Sequence, residues 1–264
     1  MKSPQMEKRE GMSSLFDLSG RTALVTGSTR GLGRAMALSL AQAGARVVLN
    51  YANDEERGLA CQQSFLKAGH ESLLVGASVV EEEDVDRLVS TVESAFGGID
   101  ILVVNATPMQ PRNPIESYDW AFHQQMIDYF LKSPFLLARR VLPHMKKQGW
   151  GRIINMGSEV LARGIGHFSP YVAAKGAQYG WTKSMATELA SHGVTVNMIS
   201  PGWIPVERHA GTSQSKIDSY QSSVPAGRMG VPEDLAGSVV FLASDSSSFV
   251  TGQNIHVNGG VTTA

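Results

Sequence analysis

Short apolar runs alternate with longer amphipathic segments along most of the chain. Several of the runs, such as Ile101–Val104, are apolar at every position. Strands that are apolar on both faces need cover on both faces, which is typical of a parallel sheet between two layers of helices. The alternation therefore predicts an α/β fold, in which one doubly wound domain has a parallel seven-stranded sheet with helices on both faces.

The bounds of these elements follow from where each apolar pattern begins and ends. The seven predicted strands are Ala23–Thr26, Arg46–Asn50, Ser72–Val75, Ile99–Val104, Arg152–Met156, Val194–Ile199 and Asn254–Val257. The segments long enough for crossover helices are Leu32–Ala43, Glu55–Lys67, Glu82–Phe96, Tyr118–Lys147 and Tyr171–His192. A chain of 264 residues suits a single large domain, and no linker or repeat divides it. Residues 1–16 are predicted to be a flexible N-terminal extension, and residues 17–264 the folded domain.

Composition and charge exclude several classes of protein. Lys and Arg total 23 and Asp and Glu total 24, so the chain offers no electrostatic footprint for nucleic acid or a membrane surface. No stretch approaches the roughly 20 apolar residues that span a bilayer. The 7 His residues are never three or four apart, so no zinc-type pair and no metal are expected. The single Cys favours a reducing compartment, and we expect a cytoplasmic protein.

A glycine-rich turn follows the first predicted strand. It reads Gly27-Ser28-Thr29-Arg30-Gly31-Leu32-Gly33 and leads directly into a predicted helix. Glycines allow a tight turn and let backbone N–H groups approach a pyrophosphate at the helix N-terminus. The position of the turn, after a strand and before a helix, predicts a nucleotide-binding site.

The end of the second predicted strand bears on the choice of nucleotide. An acidic side chain there would bond a ribose 2′-OH and repel a 2′-phosphate, but Val47 to Asn53 contains no Asp or Glu. Arg30, in the glycine turn, can pair with a phosphate. Both features favour NADP(H), with NAD(H) as the alternative.

Three polar residues predict a reaction centre beyond the glycine turn. Tyr171 and Lys175 are four residues apart on a predicted helix and so share a face, and Ser158 follows the strand Arg152–Met156 at the sheet edge where ligand clefts open. A ketone that accepts hydride needs a proton donor, and a nearby ammonium lowers the tyrosine pKa from about 10. A hydroxyl beside the carbonyl stabilises developing charge. Each residue alone has an ordinary structural explanation; together they predict carbonyl chemistry.

From about Leu18 to Gly260 the chain resembles the short-chain dehydrogenase/reductase family. The resemblance rests on the turn Thr26–Gly33, on Tyr171-Val172-Ala173-Ala174-Lys175, on Ser158 thirteen residues before that Tyr, and on the loop Asn197–Gly202. The C-terminal segments Gly227–Asp234 and Val250–Gly260 resemble the branch that contains 3-oxoacyl-carrier-protein reductases. The resemblance implies a Rossmann-type fold, a homotetramer, NADP(H) or NAD(H), and a small carbonyl or alcohol substrate.

The resemblance also implies roles for individual residues. Tyr171 would be the general acid in reduction and the base in oxidation, Lys175 would lower its pKa and bind the nicotinamide ribose, and Ser158 would hydrogen-bond the substrate oxygen. The residues expected to contact the cofactor are Gly27, Ser28, Arg30, Gly31, Leu32, Gly33, Tyr51, Ser78, Val79, Asn105, Ala106, Tyr171, Lys175, Pro201, Gly202 and Ile204.

Four positions depart from the family pattern. Thr107 replaces a Gly after the fourth strand, Ser78 stands where an Asp commonly touches the adenine, and Val206 lies near the place of a Thr that contacts the nicotinamide amide. Phe130 replaces an Asn that helps hold a water connecting the Lys to solvent, and a Phe side chain cannot make that bond.

The leading hypothesis is an NADP(H)-dependent carbonyl reductase or alcohol dehydrogenase of the 3-oxoacyl type. One alternative is a weakly active nucleotide-binding or scaffold protein, because of Phe130 and Thr107. A second alternative is an NAD-linked alcohol dehydrogenase. The segment Trp203 to Val224 is predicted to be a mobile lid over the substrate, with Val160–Pro170 as the opposite wall.

Overall fold

The computed structural model describes residues 15–263, which form a single α/β domain. The predicted flexible extension, residues 1–16, lies almost entirely outside the described residues, so it stays a prediction. Within residues 15–263, no helix combines the length and the apolar character needed to cross a membrane.

The seven predicted strands all form, and they pair in parallel in one sheet with the order β3-β2-β1-β4-β5-β6-β7. Their bounds are β1 Thr22–Val25, β2 Arg46–Tyr51, β3 Ser72–Gly76, β4 Ile101–Val104, β5 Gly151–Met156, β6 Val194–Pro201 and β7 Asn254–Val257. The strand order reverses between β1 and β4, which pair directly. In such sheets the crevice outside the carboxyl ends at this reversal is the usual ligand site.

Helices cover both faces of the sheet. Their bounds are α1 Gly31–Gln42, α2 Glu55–Lys67, α3 Glu82–Phe96, α4 Trp120–Ile127, α5 Ser133–Gln148, α6 Val160–Arg163, α7 Ser169–Leu189, α8 Gln214–Gln221 and α9 Ala236–Ala243. Short 3₁₀ turns lie at Ile115–Ser117, Ala190–His192, Glu207–His209, Pro232–Leu235 and Asp245–Ser247.

Successive residues of the central strands enter two separate apolar cores, which explains why the strands lack a polar face. Ile101 and Val103 pack with α1, α2 and α9, whereas Leu102 and Val104 pack with α3, α5 and α7. All four side chains are buried. Each such side chain contributes about 1.5–3 kcal/mol to stability, so the two-sided pattern fixes the three-layer architecture.

The prediction of one regular helix over Tyr118–Lys147 is wrong in its interior. The structure has α4, a π-helical turn at Asp128–Lys132, and then α5. The Asp119 carboxylate accepts a hydrogen bond from the Phe122 N–H at 2.8 Å and so starts α4 two residues later than predicted. The wider turn carries the buried ring of Phe130 against Met126 and Ala174. Apolar periodicity cannot reveal one extra residue in a turn.

The remaining differences lie at helix ends and in the C-terminal third. Helix α7 begins at Ser169 rather than Tyr171, because Pro170 is well suited to a first helical turn, and its last predicted residues form a 3₁₀ turn. The predicted lid contains the helix α8, which buries none of its residues and so lacks an apolar stripe that periodicity could detect. The lid's movement stays a prediction.

Candidate active site

A cleft opens at the sheet edge formed by the carboxyl ends of β1, β4, β5 and β6. It consists of a cavity of about 390 Å³ over the glycine turn, here called the turn cavity, and one of about 640 Å³ over Tyr171, here called the tyrosine cavity. Leu32, Asn105, Thr107 and Arg208 line both cavities, so the two lie next to each other.

The glycine turn has the backbone that a pyrophosphate site requires. Gly27 and Gly31 have positive φ angles of 60° and 54°, which favour glycine. A Cβ atom on Gly33 would collide with the carbonyl oxygen of Gly27 and with the Asn105 amide. The Asn50 side chain accepts a hydrogen bond from the Gly27 N–H at 3.1 Å and donates to the carbonyls of Val75 and Ala77. Asn50 on β2 therefore fixes the glycine turn through its side chain.

The N-terminus of α1 already holds a negatively charged group. The Gly31 N–H donates to the Glu207 carboxylate at 3.4 Å, and the N-cap residue Arg30 makes no side-chain capping hydrogen bond. Free N–H groups and the helix dipole favour an anion at this position. The carboxylate thus occupies the place that a pyrophosphate oxygen would take, so the residues present fit a dinucleotide.

The outer end of the turn cavity carries a basic and polar lining. Arg30, Tyr51, Asn53 and Arg57 line it, and the Arg57 guanidinium pairs with Asp54 at 2.9 Å on the surface. Negatively charged groups on a nucleotide would meet two guanidinium groups here.

Most of the residues predicted to contact the cofactor line the cleft, but two do not. Ser28 is fully buried and its hydroxyl accepts a hydrogen bond from the Asn50 N–H at 3.0 Å. The Ser78 N–H donates to the Asp84 carboxylate at 2.7 Å, and its neighbours Ala77 and Val79 line the cavity instead. The predicted residues that do line the cleft are Gly27, Arg30, Gly31, Leu32, Gly33, Tyr51, Val79, Asn105, Ala106, Tyr171, Lys175, Pro201, Gly202 and Ile204.

Ser158, Tyr171 and Lys175 meet in the tyrosine cavity, as the sequence predicts. Ser158 lies just after β5, while the other two lie one turn apart in the first half of α7. Two aromatic rings fix the Tyr171 ring, with centroid distances of 4.8 Å to Phe168 and 5.2 Å to Phe130. The phenol is thereby held beside the Ser158 hydroxyl.

The electrostatics of Tyr171 differ from the expectation based on Lys175. Burial raises the pKa of the Tyr171 phenol, while a hydrogen bond with Ser158 and the positive charge of Arg208 lower it. The sequence had pointed to Lys175 as the charge that lowers this pKa. Burial holds the pKa of Lys175 well below its usual range, with a smaller contribution from Arg208. Arg208, which the sequence did not single out, is therefore the cation that favours the phenolate.

The ammonium group of Lys175 is enclosed by protein. The side chain is 3% exposed and donates to the Met156 carbonyl and to the Gln178 side-chain oxygen, the latter at 3.0 Å. The Phe130 ring centroid lies 3.7 Å from the ammonium nitrogen. Phe130 therefore packs directly on Lys175 as a cation–π partner, and an amide on α7 provides the hydrogen bond.

Basic side chains outnumber acidic ones in the lining of the tyrosine cavity. Arg112, Arg163, Arg208 and Lys216 line it, against a single carboxylate, Glu159. Glu159 is already satisfied, because Arg163 pairs with it at 3.0 Å and the Tyr220 hydroxyl donates to it at 2.8 Å.

Sequence reasoning missed several residues of this site. Arg57 lies in the first turn of α2, shortly after β2, and its positive charge could have been predicted to face a nucleotide phosphate. Arg112 lies on a loop, Arg208 on a 3₁₀ turn and Lys216 on a helix without buried residues, so periodicity cannot show which way their side chains face. Gln178 could have been found, since it lies three residues after Lys175 and so on the same helix face.

Comparison with known proteins identifies the family. The family model described as enoyl-(acyl carrier protein) reductase matches residues 27–262. The chain belongs to the short-chain dehydrogenase/reductase family. A 3-oxoacyl-(acyl-carrier-protein) reductase of Staphylococcus epidermidis is 39% identical over 243 residues, which cover 91% of this chain and 98% of that protein. The resemblance inferred from the motifs is thereby confirmed, including its 3-oxoacyl reductase-like branch.

Solved structures of the same family superpose closely on this short-chain dehydrogenase/reductase. A crystal structure of a putative gluconate dehydrogenase from Agrobacterium tumefaciens has a TM-score of 0.90 at 37% identity, covering 95% of this chain and 99% of that one. A gluconate 5-dehydrogenase from Burkholderia cenocepacia, in complex with NADP and tartrate, has a TM-score of 0.89 at 35% identity, covering 96% and 100%. The predicted Rossmann-type fold is confirmed.

Proposed function

We propose that this protein is an NADP(H)-dependent oxidoreductase that transfers hydride between the nicotinamide and a carbonyl or alcohol substrate, with Tyr171 as general acid and base. The proposal is supported above all by the meeting of Ser158, Tyr171 and Lys175 in a cavity next to the one over the glycine turn. Family membership supports the same reaction class.

The chain's own residues would manage the proton and the substrate oxygen. A bound nicotinamide would supply or accept hydride at its C4 atom. The raised pKa of Tyr171 keeps a proton on the phenol at neutral pH, ready for the oxygen of a carbonyl that is being reduced. Ser158 would donate a hydrogen bond to that oxygen as charge develops on it. Lys175 would bind the nicotinamide ribose, and Phe130 and Phe168 exclude water from one side of the phenol.

NADP(H) is the cofactor that the turn cavity favours. No acidic residue ends β2, and Arg30 and Arg57 line the outer end of the cavity, where a 2′-phosphate would gain from a guanidinium partner. The Burkholderia gluconate 5-dehydrogenase, whose structure holds NADP, supports this choice. Asp54 lies in the same lining, so NAD(H) is the competing cofactor to be measured.

The sequence favours a 3-oxoacyl-type substrate, and the 39% identical Staphylococcus reductase supports it. A hydroxy acid is the second candidate. It is favoured by the basic lining of the tyrosine cavity and by the names of two structural relatives, which are gluconate dehydrogenases.

The alternative of a weakly active nucleotide-binding or scaffold protein rested on Phe130 and Thr107. Phe130 leaves Lys175 with two hydrogen-bond acceptors, and Thr107 lines both cavities. Both observations favour retained catalysis.

We also propose a homotetramer in the cytoplasm. Its support is the family resemblance and the exposure of large apolar side chains such as Phe249 and Trp120.

A cofactor-consumption screen tests this function. Purified protein is offered carbonyls with NADPH or NADH and alcohols with NADP⁺ or NAD⁺, and the dissociation constants of both reduced cofactors are measured. We expect turnover of at least one carbonyl or alcohol class and tighter binding of NADPH. Clearly tighter NADH would overturn the cofactor assignment, and NADPH binding without turnover across the panel would favour the binding-protein alternative.

A further inference from the structure

The positive charges of the tyrosine cavity are not all neutralised by the protein. Within residues 15–263, none of Arg112, Arg208 and Lys216 forms an ion pair with a carboxylate. Arg112 lies over the Phe168 ring at 4.9 Å from its centroid, and the Arg208 guanidinium donates to the His209 ring at 3.3 Å. Neither contact supplies negative charge.

These cations come from different parts of the chain and face one space. Arg112 lies on the loop after β4, Arg208 on the 3₁₀ turn Glu207–His209, and Lys216 on α8. The same cavity contains the hydroxyl of Ser158 and the phenol of Tyr171. A chain with a net charge of −1 thus places three cations without carboxylate partners where a substrate would bind, and such a lining concentrates anions.

We propose that the substrate carries an anionic group, a carboxylate or a phosphate, that Arg112, Arg208 and Lys216 recognise while its carbonyl or carbinol carbon lies at Tyr171. The proposal rests on the proposed oxidoreductase function and deepens it. Arg112, Arg208 and Lys216 are all exposed, so a charged group on the substrate would give each of them a partner that an uncharged acyl chain could not. Arg208 also lines the turn cavity, so Arg112 and Lys216 are the residues that report on substrate alone.

Matched pairs of charged and neutral substrates test this inference. The pairs are acetoacetate with acetoacetamide, gluconate with gluconamide, and glucitol 6-phosphate with glucitol. We expect the charged member of at least one pair to have the higher kcat/KM. In Lys216→Met and in Arg112→Met, the ratio of charged to neutral kcat/KM should fall by about 10- to 100-fold, the usual worth of a hydrogen bond to a charged group. The phosphate pair separates a phosphate from a carboxylate preference.

Lys67→Met is the control, because Lys67 is an exposed residue at the far end of α2, outside both cavities. It should keep the parent ratio. Equal or better turnover of the neutral members by the parent protein, or an unchanged ratio in both cavity variants, would overturn the anionic substrate while leaving the oxidoreductase function intact. The absence of turnover on every pair with either cofactor would instead count against the proposed function and, with it, this inference.

A different observation concerns the amide that bonds Lys175. Gln178 is 1% exposed, and its side-chain nitrogen is buried without a hydrogen-bond partner among the described residues. Asn155 is fully buried on β5, and its side-chain oxygen has no partner among the described residues. Its amide nitrogen donates to the Thr182 hydroxyl, which in turn donates to the main-chain carbonyl of Gln178. Buried polar groups without a hydrogen-bond partner lower stability, so their presence here calls for an explanation.

We infer that Gln178 is a positioning residue that holds the Lys175 ammonium in its charged form. Its side-chain oxygen accepts a hydrogen bond from the ammonium at 3.0 Å, while the Phe130 ring centroid lies 3.7 Å from the same nitrogen. An acceptor there stabilises the protonated amine, which burial otherwise disfavours.

Variants of Gln178 test this role through the pH profile. Gln178→Met keeps the length but removes the acceptor, so the loss of activity at high pH should begin at a lower pH. Gln178→Glu adds negative charge and should move that limb to a higher pH. NADPH affinity and thermal stability are measured in parallel. A merely structural Gln178 would lower kcat and Tm in both variants with the alkaline limb unmoved, and that result would overturn the inference.

Discussion

Burial decides the charge state of Tyr171, against the effect of two groups that lie far apart in sequence. Ser158 lies thirteen residues before it and Arg208 lies beyond β6, and both act against the effect of burial on its pKa. Because burial has the larger effect, the phenol is protonated at neutral pH, the form that a carbonyl reduction needs. Oxidation of an alcohol needs the phenolate, so we expect that direction to gain as the pH rises through the pKa of Tyr171.

Single-residue predictions succeed where helix geometry alone determines the outcome. Tyr171 and Lys175 had to share a face because they are four residues apart on a helix, and the structure places them in one cavity. Arg208 and Lys216 could not be placed in advance, because they lie on a 3₁₀ turn and on a helix without an apolar stripe. Ser28 and Ser78 were placed by counting along a motif, and both use their polar groups inside the protein instead.

Among the elements, the glycine turn and α1 form the unit on which nucleotide binding depends. Gly33 packs so tightly that Gly33→Ala forces the Gly27 carbonyl or the Asn105 amide to move. We expect the free energy of unfolding to fall by about 1–3 kcal/mol, the usual cost of overpacking. NADPH affinity should fall as well, because the N–H groups of the turn shift. Chemical denaturation and a cofactor titration measure the two effects.

Gly237→Ala is the matched control for that substitution. Gly237 lies in α9, where an added Cβ atom would have no neighbour within 4 Å outside the backbone of its own helix. Because Ala favours a helix over Gly, the free energy of unfolding should stay unchanged or rise by up to about 1 kcal/mol. Equal stability of the two variants would contradict the tight packing described for Gly33.

Regular elements could be predicted more fully than the interruptions between them. Helices Glu55–Lys67 and Glu82–Phe96 have the predicted bounds, since Asp54 caps the first and acidic residues and a glycine bound the second. The π turn at Asp128–Lys132 left no signal in the apolar pattern, yet it places Phe130 on Lys175. The sequence therefore could not predict the π turn that brings Phe130 into contact with Lys175.

For the whole molecule, two apolar cores and one reversal of strand order place the cleft of the candidate active site at the carboxyl edge of the described sheet. The continuous apolar strands made the three-layer domain predictable, because cover on both faces leaves few alternative architectures. The charge of the substrate cavity was not predictable, because an almost neutral composition says nothing about where the cations gather. Fold and reaction class thus followed from sequence, whereas substrate chemistry needed the assembled cleft.

The substitution Tyr171→Phe tests the central claim most directly, since it removes one oxygen and keeps the ring between Phe130 and Phe168. Turnover of the best substrate and the NADPH dissociation constant are measured for the parent, for Tyr171→Phe and for Tyr179→Phe, a control two turns further along α7. The account predicts a loss of at least about 10²-fold in turnover for Tyr171→Phe, with NADPH binding and the control nearly unchanged. Reduction of carbonyls by Tyr171→Phe at the parent rate would contradict it.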